Sequence, residues 1–233
     1  MHFNILTLYP EFFTSFLAEG LIKRALDDGK ISIKTINFRK YGLGKHQKVD
    51  APPYGGGAGM VLRPEPIINA LRECEENAGC KKQHKILISP QGSVFNQEKA
   101  KELSRLDVPI TLICGRFEGF DERIRIFVDE EISIGDFILM GGELAATVIV
   151  ETVSRLIPGV IGNKESLENE SFNDNLLEYS QYTRPYDFLG NKVPDILKSG
   201  NHGEIKKWRK SDSMKKTKTK RLDLFNRYLE KAE

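Results

Sequence analysis

Residues 112–122 read LICGRFEGFDE, an apolar run that stops at Gly115 and passes into polar sequence punctuated by glycine. Two neighbours repeat the form: KILISPQG at 85–92 and ISIGDFILMGGEL at 132–144. A short apolar run bounded by turn residues reads as a strand buried on both faces, the pattern of a parallel sheet. Glycine at the end of such a strand lets backbone approach a flat ligand closely. In open parallel sheets, ligands bind beyond the carboxyl ends of the strands. One such turn is ordinary strand-to-helix geometry; three of them predict a cofactor pocket.

The flanking sequence extends the same sheet. Apolar or alternating runs predict strands over 3–9, 31–38, 85–89, 109–114 and 130–140. Helices are predicted between them: 19–29, stopped by Gly29; 64–79, with prolines in its first turn; 96–106, with Asn96 as N-cap; and 142–159, ended by Pro158 and Gly159. Alternation of strand and helix gives an α/β fold with a largely parallel sheet. The composition then changes. Residues 161–175, IGNKESLENESFNDN, hold few apolar side chains and read as a flexible linker. Residues 176–233 read as helical with turns. The expected division is therefore 1–160, a linker over 161–175, and a small helical C-terminal domain over 176–233.

Charge is placed as unevenly as hydrophobicity. Residues 198–221 hold ten Lys or Arg against Glu204 and Asp212, a net of +8, so the rest of a chain whose total is +2 carries −6. A basic segment on an acidic body predicts contact with a polyanion, with Lys206, Lys207, Arg209 and Lys210 as candidate contacts; the bland alternative is a solvated helix face. The 233 residues are 39% hydrophobic and 29% charged, enough to bury a core. No run approaches the ~20 apolar residues of a membrane span, and the N-terminal stretch lacks the features of a signal peptide. Three cysteines, Cys74, Cys80 and Cys114, suit a reducing compartment. Cys74, Cys80 and His84 match no common zinc spacing. These features predict a cytoplasmic protein with no membrane partner.

One stretch resists assignment from pattern alone. In APPYGGGAGMVLRP, 51–64, four glycines fall within Gly55–Gly59. No strand leads into them and no lysine follows, so the stretch is neither a P-loop nor a dinucleotide-binding turn.

The chain also carries, in order, YPEFF, YGGGAGM, LISPQG, CGRFEGFDER, SIGDFIL, GGEL, SRLIPGV, ESF, YTRP and SGNHGEIKKWR. This series resembles the bacterial tRNA (guanine-N1)-methyltransferases, which methylate the guanine at tRNA position 37, and the match spans nearly the whole chain. The resemblance implies a SPOUT-type domain with a deep trefoil knot, S-adenosylmethionine as methyl donor, and a homodimer whose active sites are shared between subunits. By that likeness the donor pocket comprises Leu87, Ser89 and Pro90; Gly115, Phe117 and Gly119; Ile134, Gly135, Asp136, Phe137, Ile138 and Leu139; and Gly141 and Gly142. It makes the glycine-rich loop a neighbour of the active site, with Asp50 as a candidate tRNA contact. Glu118 matches a glutamate implicated in the family's use of magnesium.

Chemistry at guanine N1 requires removal of its proton and stabilisation of the charge that develops on O6. The family's base is an Asp before Ser-Phe; here that position is Glu170, one methylene longer. Arg155 matches the arginine that assists at O6. Read alone, Glu170 is an acid in a polar loop and Arg155 a helix-end cation. Further departures are Phe117 for tyrosine, Ala145 for proline and Gln181 for histidine. The rival readings are an enzyme using another nucleotide cofactor and a non-enzymatic RNA-binding protein.

Overall fold

The computed structural model describes residues 1–77, 82–162 and 170–231. The chain divides into two compact units, Met1–Gly162 and Asn163–Glu233. In the first unit, β1 (His2–Thr7) leads through α1 (Thr14–Ala18) and α2 (Gly20–Asp27) to β2 (Ser32–Asn37). A two-stranded antiparallel ribbon, β3 (Asp50–Ala51) and β4 (Val61–Leu62), precedes α3 (Pro64–Asn77). Then come β5 (His84–Val94), α4 (Gln97–Leu103), β6 (Ile110–Cys114), β7 (Glu130–Ser133) and α5 (Glu143–Ser154). Among the described residues the main sheet has five strands in the order β2-β1-β6-β5-β7, all paired in parallel.

Both faces of the sheet are covered, as the continuous apolar runs require. On one face Ile86, Ile88, Leu112 and Ile132 pack with Ala146, Ile149 and Val153 of α5. On the other, Leu6, Leu87 and Ile113 pack with Ile67, Ala70, Leu71 and Cys74 of α3. The switch from Ile86 to Leu87 to Ile88 is the period-two alternation of a strand. Burial pushes the Cys74 thiol up to about 12, and the Cys114 thiol is also raised by burial; both behave as small core hydrophobes. Cys80 lies outside the described residues.

Two strand boundaries differ from expectation, and both differences shape the site. β5 does not stop at Ser89. Ile88 and Ser93 both register with Ile132, so Ser89–Gly92 loop out as a bulge before pairing resumes. β7, expected to run through residue 140, ends at Ser133. The Ser133 hydroxyl bonds the Gly135 backbone at 3.0 and 3.2 Å, and Gly135 takes φ of 146°. Such a turn breaks the ladder and frees residues 134–140 from the sheet. α5 likewise stops at Ser154, before Pro158. The Asn96 cap forms as the sequence predicts, its side chain accepting from Lys99 N at 2.9 Å.

The second unit is built differently. Its helices are α6 (His202–Lys220) and α7 (Leu222–Glu230), with a short ribbon, β8 (Asp187–Phe188) and β9 (Asn191–Lys192), before them. Side chains of α6 bind the extended segment 177–180 directly. Thr217 accepts from Leu177 N at 2.8 Å, Ser213 donates to Leu177 O at 2.5 Å, and Asp212 accepts from Ser180 N at 2.7 Å. Ser213 and Thr217, one turn apart on the buried face of an otherwise polar helix, take the place of a ladder partner for that backbone.

Candidate functional site

The bulge after Ile88, the turn after Cys114 and the turn after Ser133 converge on one cavity of about 440 Å³. That volume lies in the range of small-molecule sites. Of the expected donor-site residues, Ser89 and Pro90 line it from the first segment and Gly115, Phe117 and Gly119 from the second. Ile134, Gly135, Phe137, Ile138 and Leu139, then Gly141 and Gly142, line it from the third. Leu87 does not reach the cavity, because its side chain is buried in the α3 core. Asp136 is exposed and outside the lining. Ala145, where the resemblance expects proline, is buried and forms part of the wall.

The glycines serve internal packing. A Cβ at Gly142 would stand 2.8 Å from Cys114 Cα, and the Gly142 N–H donates to Gly115 O at 2.9 Å. A Cβ at Gly141 would stand 2.3 Å from Arg116 Nε, and one at Gly115 would stand 2.8 Å from the Phe120 ring. The room left by these missing side chains is taken by protein atoms. They let three loops lie against one another and so shape the walls that Gly141 and Gly142 line.

Under the cavity sits an acid whose burial no local pattern foretells. Glu143, the first residue of α5, is 1% exposed. It accepts from Thr7 Oγ1 at 2.7 Å, and its Oε2 lies 2.8 Å from Arg116 Nη2. Arg116 in turn donates to Met140 O at 3.2 Å and stands 4.5 Å over the Tyr9 ring. Breaking a buried pair of this kind by removing one partner is costly, since it strands a charge. The pair ties the end of β1 to two of the cavity loops.

The glycine-rich loop lies beside this cavity. Glu118 N donates to Met60 O at 3.0 Å and Leu62 N to Gly119 O at 2.9 Å. Gly59, with φ of 75°, leaves room for the Glu118 side chain, which a Cβ there would meet at 2.4 Å. The loop is therefore seated on the second cavity segment by backbone bonds. Asp50 stands on β3, half-buried, opposite Leu62 in register. Glu118 is exposed at the cavity edge.

Arg155 is elsewhere. It lines a separate recess of about 450 Å³ with Ser15, Phe16, Glu19, Leu21 and Glu151. Gly142 at the cavity and Arg155 sit at opposite ends of α5, about 20 Å apart at 1.5 Å per residue. A single first unit thus does not bring Arg155 to its own cavity.

In the second unit, Glu170 opens a tight turn. Asn173 N donates to Glu170 O at 3.3 Å and Phe172 N to Leu176 O at 2.7 Å, while Phe172, Asp174 and Asn175 take φ of 74°, 49° and 58°. Non-glycine residues seldom adopt that region. So the end of the expected linker has a defined shape; residues 163–169 lie outside the described residues. Lys206, Lys207, Arg209 and Lys210 are exposed on α6. Three of them have local partners: Lys207 with Glu204 at 2.8 Å, Arg209 over the Tyr179 ring at 4.7 Å and Lys210 over the Tyr228 ring at 4.6 Å.

Residues 1–227 match the family model described as tRNA (Guanine-1)-methyltransferase TrmD. The chain belongs to the tRNA (guanine-1)-methyltransferase family. It is 52% identical over 225 residues to the tRNA (guanine-N(1)-)-methyltransferase of Desulfitobacterium hafniense, covering 97% of this chain and 84% of that one. The enzyme of the same name from Clostridioides difficile is 48% identical over 232 residues, covering 99% of this chain and 100% of that one. That of Citrifermentans bemidjiense is 52% identical over 227 residues, with 97% and 90% covered.

Within the methyltransferase frame, what sequence reasoning missed is the support of the cavity: Glu143, Arg116 and Arg125. Nothing in GGEL marks its glutamate as buried, because the partner that makes burial tolerable, Arg116, is 27 residues away. Among the described residues no three His, Cys, Asp or Glu side chains converge on a metal-sized site, and no helix is long and apolar enough to cross a membrane.

Proposed function

We propose that this protein transfers the methyl group of S-adenosylmethionine to N1 of the guanine at position 37 of tRNA. The observation that carries this is the cavity at the carboxyl ends of β5, β6 and β7, in a chain that matches the methyltransferase family over residues 1–227. The cavity fits the donor in kind: apolar walls from Ile134, Leu139 and Ala145, and backbone edges from the three loops. When bound, the donor supplies an already activated methyl sulfonium, so the chain need not form a covalent intermediate.

The remaining work is done by this chain's side chains. Glu170 takes the proton from guanine N1, and Arg155 stabilises the charge that then develops on O6. The roughly 20 Å of helix between Arg155 and its own cavity supports a homodimer in which each site draws on both subunits. The exposed cations of α6 neutralise tRNA phosphates and set register, and the target guanine leaves its stack so that its pairing edge is reached. Glu118 offers one carboxylate toward magnesium, which commonly completes its shell with water and substrate oxygens. A deep trefoil knot is supported by topology: after edge strand β7 the chain passes back to lie against the end of β6, where only glycine fits.

The test is methyl transfer from a labelled donor to unmodified tRNA, with the modified base mapped. Label at N1 of guanine 37 is expected; binding of tRNA without transfer would favour a non-enzymatic RNA-binding protein instead.

A further inference from the structure

The Ser89–Gly92 bulge interrupts the backbone pairing of β5 with β7 at the cavity. The β5–β7 ladder is interrupted across it, since Ile88 and Ser93 share Ile132 as their registered partner. Two local bonds give it shape: Gln91 N donates to Ser89 Oγ at 3.1 Å, and Ser93 Oγ to Glu131 O at 3.3 Å. Gly92 lies so close to β7 that a Cβ would stand 2.4 Å from Glu131 C.

A guanidinium also reaches the bulge. Arg125 donates from Nε and Nη2 to the two carboxylate oxygens of Glu131, at 3.0 and 2.9 Å. The same Nη2 donates to Gln91 Oε1 at 2.9 Å, and Nη1 pairs with Glu122. Gln91, Glu122 and Arg125 all line the cavity, and the Arg125 side chain is only 23% exposed. A two-pronged arginine–carboxylate pair is a rigid anchor with a fixed direction. Here it is fixed to β7 at one end and holds the bulge and the turn after β6 at the other.

We propose that Arg125 is a positioning residue that fixes the mouth of the donor cavity by anchoring Gln91 to Glu131. The proposal rests on reading the cavity as the donor site. Arg125 pre-sets the bulge before ligand arrives, so the cost of ordering that loop does not fall on binding. Lysine cannot replace it, because one ammonium cannot hold Glu131 with two parallel bonds and reach Gln91 as well.

The experiment is calorimetric binding of S-adenosylhomocysteine to the full chain carrying Arg125→Met, Gln91→Met, both, or Arg125→Lys. Arg125→Met is expected to raise the dissociation constant roughly tenfold, the scale of a lost charge-assisted hydrogen bond. Most of the kinetic change should fall on KM for the donor rather than kcat. Gln91→Met should reproduce most of that rise, and the double variant should add little to either, since both cut one linkage. Arg125→Lys should recover only a fraction. Wild-type affinity in folded Arg125→Met, or additive losses in the double variant, would overturn the proposal. Should Arg125→Met fail to fold, Gln91→Met decides alone, because Gln91 is exposed and anchors no core residue. A wild-type protein that binds no S-adenosylhomocysteine would instead sink the donor-site reading itself.

Discussion

The two units solve one problem, ordering an irregular segment, by different means. In Met1–Gly162 the irregular segments are the cavity loops, and close packing at glycines joins hydrogen bonds in holding them. Gly142 lies on Cys114, Gly115 under Phe120, and Gly59 under Glu118, with a buried Arg116–Glu143 pair beneath. In Asn163–Glu233 the extended segment 177–180 is held by hydrogen bonds from helix side chains, Thr217, Ser213 and Asp212. Close packing yields little to small changes, whereas a few hydrogen bonds of about 1 kcal/mol each can open locally. The turn that carries Glu170 is closed by backbone bonds of its own, with its Leu176 buried.

The largest expected effect tests what that turn does. Glu170→Gln should leave donor and tRNA binding intact and slow single-turnover methylation by roughly 10²–10⁴-fold, the range for a positioned base. A rate near that of the unaltered protein would move the base elsewhere, with Asp174 next to examine. Glu170→Asp sharpens the comparison. If the turn adjusts to the shorter arm, Asp should work nearly as fast; if the backbone is fitted to the longer side chain, Asp should be slower.

Next is charge reversal of Lys206, Lys207 and Lys210 to Glu on α6. Affinity for tRNA should fall at least tenfold, and the slope of log K against log salt should flatten by up to ~3, one for each phosphate no longer neutralised. Donor binding, which the proposed function assigns to the other unit, should be unmoved. An unchanged salt slope would leave these cations as a solvated face.

The contrast in support is tested by a matched pair of small changes. Gly142→Ala places a methyl 2.8 Å from Cys114 Cα in a region with no slack. It should cost about 1–3 kcal/mol and weaken donor binding. Thr217→Val removes the acceptor for Leu177 N while keeping shape. It should cost about 1–2 kcal/mol, read as faster hydrogen exchange at 177–180, and leave donor binding alone. Equal effects of both on donor affinity would erase the distinction between the units.

The smallest effect lies at the far end of the sheet. His84 Nε2 is 2.7 Å from Glu130 Oε1, and this hydrogen bond raises the His84 pKa above its ordinary 6.5. A raised histidine contributes stability that is fully present below about 6.5 and is lost as pH climbs through the raised value. The melting-temperature advantage over His84→Gln should therefore shrink from pH 6 to pH 8, by ~2 °C or less for a part-exposed pair. An advantage that grows with pH would show the histidine is neutral in the fold.

Much of the site was legible because it is made of local chain events. Short apolar runs ending in glycine announced the parallel strands and the cavity beyond their carboxyl ends, and the clustered cations of residues 198–221 announced the basic helix. What sequence misjudged were boundaries set by a neighbour. β5 runs on to Val94 because Ser93 finds Ile132 again, and β7 stops at Ser133 because its hydroxyl turns the chain at Gly135. Family resemblance supplied Arg155 and Glu170 as candidates, and only coordinates placed Arg155 in a recess apart from the cavity.

Sequence alone determined the alternation of strand and helix, the buried sheet, the basic segment and the likeness to the methyltransferases, because each is written in residues close along the chain. Tertiary structure alone decided that Glu143 is buried on Arg116, that Gly141 and Gly142 lie against Arg116 and Cys114, and that Arg125 joins Gln91 to Glu131. The physical reason is the same in each case. A buried charge, a missing Cβ and a bridging guanidinium have no meaning until the fold brings their partners within a few ångströms, and those partners stand as many as 136 positions away.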